Sequence, residues 1–151
     1  MMRLKWNEKS LVQVMANCQQ LKLNSKSGAK RALKEVAVNI MAQSMSECPI
    51  DTGTLVSTSY IEQPIDDGNR VSIKMGYASL ATNKMNPKPD WTGKMRMASE
   101  YALVVHETPE YYHPYGKWKF LEDPVTAHKL AFIQILGREL RTSLSRGVKV
   151  R

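Results

Sequence analysis

From Glu8 to Lys22 the apolar residues Leu11, Val14, Met15, Cys18 and Leu21 recur at helical spacing. They form one stripe of an amphipathic helix, with Asn7 as its N-cap. Asn24-Ser25-Lys26-Ser27-Gly28 collects turn-forming residues and reads as a break. A second helix is predicted from about Ala29 to Glu47. There Ala29, Ala32, Leu33, Val36, Ala37, Ile40, Met41, Met45 and Cys48 share one face, while Lys30, Lys34 and Gln43 point away. Pro49 stops it, because the residue before a proline is pushed out of the α region.

Beyond Pro49 the period shortens to two. Thr54 to Glu62 reads as a strand, Asp66-Asp67-Gly68-Asn69 as a hairpin turn, and Arg70 to Tyr77 as the partner strand. In that partner Val71, Ile73, Met75 and Tyr77 alternate with polar or small residues. Residues 78–99 show little periodicity and read as a long loop, of the kind that serves a function or orders on a partner. Tyr101, Leu103 and Val105 alternate as a third strand over 101–106, and an aromatic loop follows over 108–117. A last helix starts near Phe120, or at Asp123 as N-cap with Pro124 behind it, and runs to about Ser143. Its face is Leu121, Val125, His128, Phe132, Ile135, Leu136 and Leu140, and a basic tail completes the chain over 144–151. The order predicts a single α+β domain over 1–151, a small antiparallel sheet packed against two N-terminal helices and one long C-terminal helix.

At 151 residues the chain is long enough to hold a core without disulfide or metal. Its nine Met residues suit a core or an assembly interface equally. Cys18 and Cys48 form no C-x-x-C pair, no apolar run opens the chain as a signal peptide, and none is long enough to span a bilayer. Both thiols are therefore expected as buried small hydrophobes of a protein made in a reducing cytoplasm, away from membranes.

The net charge of +8 is uneven. Residues 1–48 and 117–151 each carry eight Lys/Arg against three Asp/Glu, whereas 49–116 carry six against eight. The clusters at Lys26–Lys34 and Arg138–Arg151, with a pI near 9.6, meet the electrostatic criterion for phosphate contact. No helix-turn-helix, zinc-finger or RNP-like pattern accompanies them. Of Trp91, Tyr111, Tyr112, Tyr115 and Trp118, all but Trp118 fall in the stretch of net negative charge, which favours a protein interface over base stacking.

Candidate chemistry is thin. His106, Glu107 and His113 lack the spacing of a metal site, and Ser57 and Ser59 lack a nucleophile-elbow context. There is no P-loop or dinucleotide fingerprint. The expectation is no enzyme: no catalytic residue, no metal ligand and no cofactor.

Cys48-Pro49-Ile50-Asp51-Thr52-Gly53-Thr54-Leu55-Val56-Ser57-Thr58-Ser59 resembles the P-x-D-T-G-x-L-x-x-S signature of the tail-completion, or head–tail joining (neck, minor capsid), proteins of tailed phages and prophages. Tyr101-Ala102-Leu103-Val104-Val105-His106-Glu107 is similar to that family's Tyr-Ala…His-Glu segment, and Lys119-Phe120-Leu121-Glu122-Asp123-Pro124 to its entry into the last helix. The motif positions are Pro49, Asp51, Thr52, Gly53, Leu55 and Ser59, then Tyr101, Ala102, His106, Glu107, Phe120 and Leu121. The long 78–99 segment and the lack of a glycine directly after Glu107 depart from the pattern. Physically the first motif is a helix-to-strand corner, with Asp51 and Thr52 as turn caps and Gly53 in a conformation other residues resist.

The resemblance implies a structural virion protein at the head–tail junction, assembled in the host cytoplasm. It would be a homo-oligomer, a six- or twelve-fold ring, between connector or adaptor proteins and tail proteins. Arg138, Arg141, Arg146, Lys149 and Arg151 are the candidates to face either the channel DNA or an acidic neighbouring ring. The alternatives are a tail terminator, a minor capsid or decoration protein, and, from another class, a basic nucleic-acid-binding module.

Overall fold

The computed structural model describes residues 8–110 and 115–145. Its first element, α1 (Glu8–Glu47), is one uninterrupted helix of 40 residues, about 60 Å long. The break expected at 24–28 is absent. Ser25 turns its hydroxyl back onto the Lys22 carbonyl (2.9 Å), which leaves the backbone ladder intact. Gly28 is used for contact: a Cβ there would lie 2.6 Å from Ser143 Oγ and 2.9 Å from the Glu139 carbonyl oxygen. The N-cap expected at Asn7 lies outside the described residues.

After α1 come β1 (Ser59–Ile61), β2 (Ile65–Asp66), β3 (Val71–Ser72) and β4 (Met75–Tyr77). They form a single hairpin in two antiparallel ladders, Tyr60 opposite Gly76 and Asp66 opposite Val71. Pro64, which has no N–H to give, falls between the ladders. A Glu62 N–H to Lys74 carbonyl bond of 2.8 Å bridges the interruption. The turn is where the sequence places it. Asp67 Oδ1 accepts the N–H groups of Asn69 and Arg70 at 3.1 and 2.7 Å, and Asp66 Oδ1 that of Gly68 at 2.9 Å. Thr54–Thr58, expected as strand, is instead coiled into turns ending in a short 3₁₀ turn at Val56–Thr58. There the Thr58 hydroxyl donates to the Leu55 carbonyl at 2.6 Å.

The third strand is a helix, α2 (Ala98–Glu107). The alternation of Tyr101, Leu103 and Val105 misleads because the inward positions are Ala98, Tyr101, Ala102 and Val105, a helical stripe, while Leu103 and Val104 are exposed. Glu100 accepts the Met97 N–H at 2.6 Å and starts it. The last helix divides at His128 into α3 (Glu122–Ala127) and α4 (Lys129–Ser145), with Leu121 rather than Asp123 at the cap position.

The chain is α+β, as expected, with one long N-terminal helix in place of two. α4 runs antiparallel along α1, joined by Arg31–Glu139 (2.8 Å), Arg138–Glu35 and His128–Gln43 (3.0 Å). The hairpin packs against α1 as well, its tip held by Lys26–Asp66 at 2.9 Å. Ala32, Val36, Ala37, Ile40 and Met41 of α1 are buried among these elements. A second cluster, Cys48, Leu55 and Phe120, closes the end where α1 stops, with Tyr77, Tyr101, Ala102, Val105 and Leu121 around it.

Candidate functional site: a cleft at the helix-to-hairpin corner

Where α1 ends, Pro49 removes a donor and the chain turns. The Lys117 N–H takes the freed Glu47 carbonyl at 2.9 Å. This contact needs Gly116 (φ +88°), whose missing Cβ would fall 2.6 Å from both the Glu47 oxygen and the Pro49 nitrogen. Gly53 adopts φ +74°, the left-handed conformation anticipated for the motif. Thr52 caps the turn as expected, its Oγ1 meeting Thr54 Oγ1 at 2.8 Å and donating to Asn86 Oδ1 at 3.1 Å. Asp51 does not cap. It is exposed and pairs with Lys88 at 2.9 Å.

The 78–99 segment is more ordered than its lack of periodicity implies. Met85 and Met97 pair as a bridge, and Asn86–Arg96 and Ala98–Lys84 backbone bonds of 2.8 Å continue the closure. Asp90 organises the tip: it accepts the N–H groups of Thr92 and Lys94 at 2.8 and 3.0 Å and binds Arg96 at 2.8 Å. The Thr92 hydroxyl and Arg96 hold its carboxyl far below the usual carboxylate range. The Asp90-x-Thr92-Gly93 spacing is an Asx-turn signal that was present in the sequence.

Corner, loop and α2 together enclose an open cleft of about 830 Å³. Pro49, Asp51, Thr52, Gly53 and Leu55 line one side and Tyr101, Val104 and Val105 another. Trp91 and Tyr115 complete the lining, Trp91 being 95% exposed. Asn86 and Lys88 belong to this site although nothing in their sequence setting singled them out, and Val104 reaches it because its segment is a helix.

The other motif residues meet elsewhere. His106 Nδ1 lies 2.7 Å from Glu107 Oε1, and its ring stands edge-on to Phe120 with centroids 5.0 Å apart. Lys119 binds Glu107 at 2.9 Å and also Glu122, so Lys119 and then His106 hold the Glu107 carboxyl below its ordinary range. These groups latch the end of α2 to the entry of α3. Ser59 begins β1 and donates to Met45 Sδ at 3.4 Å, and the Ser57 hydroxyl donates to the Thr54 carbonyl at 2.8 Å. Trp118 is not part of the cleft and lies 5.9 Å from Lys119 Nζ. Tyr111, Tyr112, His113, Arg146, Lys149 and Arg151 lie outside the described residues.

One expectation is corrected: Cys18 is exposed, and Cys48 is the buried thiol. Arg138, with its side chain 56% exposed, pairs with Glu35 and Glu139. Lys26, Lys30 and Arg31 are likewise engaged with Asp66 and Glu139, whereas Arg141 is exposed. Among the described residues no group of His, Cys, Asp and Glu is placed to hold a metal, and no helix is long and apolar enough to cross a membrane. Comparison with known protein families, curated proteins and solved structures finds no match to this chain.

Proposed function

We propose that this chain is a structural virion protein of a tailed phage, a subunit of a ring at the head–tail junction. The reading rests on the motif resemblance, and one observation carries it further. Five of the six positions of the Pro49–Ser59 signature line an open cleft rimmed by exposed Trp91 and Tyr115. Aromatic anchors around a partly apolar recess are the composition of a protein interface. In this reading the adjacent connector and tail proteins, or neighbouring copies, are what the cleft and loops contact. The basic residues assigned to channel DNA or to an acidic ring are Arg138, Arg141, Arg146, Lys149 and Arg151, of which Arg138 also pairs with Glu35.

The test is co-sedimentation of the purified protein with portal–connector complexes, beside light scattering with duplex DNA at low and high salt. Joining the connector, with a Trp91→Ala/Tyr115→Ala double variant losing at least tenfold in affinity, is the expected result. Tight binding to free DNA with a steep salt slope, and indifference to connectors, would replace this reading with a nucleic-acid-binding one.

A further inference from the structure

We draw no further inference here: the strongest candidate, the apolar stripe of Leu11, Val14, Met15, Cys18 and Leu21 along the exposed first half of α1, is an unpartnered helix face, and nothing in the structure shows what covers it.

Discussion

Cys48 sits where α1 stops, packed with Leu55 and Phe120, and burial pushes its thiol up to about 12 from an ordinary 9.0 despite a hydrogen bond from Tyr77. Burial raises the Tyr77 hydroxyl as well. Unfolding lets both groups ionise at their ordinary values. Their contribution to stability is therefore whole below pH 9.0 and is lost as the pH climbs through 9.0 toward 12. A denaturant midpoint that declines from about pH 8 to about pH 11 is expected, and a flat profile would contradict the burial. The same environment makes a chemical contrast: at neutral pH a thiol reagent should modify one equivalent, at exposed Cys18, and a second only after denaturation. Gly116→Ala combines left-handed strain with a clash against the backbone of Glu47 and Pro49, for a loss of about 2–5 kcal/mol by equilibrium unfolding. At this scale Gly53 was readable from the sequence, because a corner glycine announces its conformation. Gly28 was not. Its small size serves a contact with Ser143 and Glu139, more than a hundred positions away, and no local pattern records that.

The elements were legible in proportion to how far local pattern governs them. The helix over 29–47 and the hairpin turn at Asp66–Asn69 follow from periodicity and turn chemistry and stand as expected, and the last helix does so apart from its division at His128. The strand assigned to 101–106 failed because β-branched residues over a few positions satisfy a period of two and a helical stripe alike. Only packing on Cys48 and Phe120 separates them. The joining of α1 across 24–28 reflects the opposite error, turn residues overruled by a helix already formed on both sides. Hydrogen exchange provides a check on α1. Amides of 11–23 should exchange much faster than those of 29–45, since no described residue covers the first stretch. In the 78–99 loop, Asp90→Ala removes the acceptor for Thr92, Lys94 and Arg96. Trypsin should then cut at Lys94 or Arg96 several-fold faster, with the melting temperature of the whole chain little changed.

For the molecule as a whole, charge is divided between holding the fold and facing outward. Arg138 and Arg31 clasp α4 to α1, so an Arg138→Gln/Glu35→Gln cycle should show a coupling of about 0.2–1 kcal/mol, screened by salt. Neutralising Arg141, by contrast, should leave unfolding unchanged. The cleft was only half visible in advance: its floor is the Pro49–Leu55 motif, but Asn86, Lys88 and Val104 reach it through the folded loop and the unforeseen α2. The rod that leaves this body is one helix, held by the hairpin tip at Lys26 and by α4 from Gly28 onward, and exposed over residues 11–23 among the described residues. Mechanically it is a lever whose fulcrum lies at Lys26–Gly28, where the hairpin tip and the end of α4 grip the shaft. Load on the free arm is delivered as torque to the clamped arm, whose far end is the Pro49 corner. A push on the free arm is therefore felt first at that grip, and beyond it by the buried residues Ala32, Val36, Ala37, Ile40 and Met41.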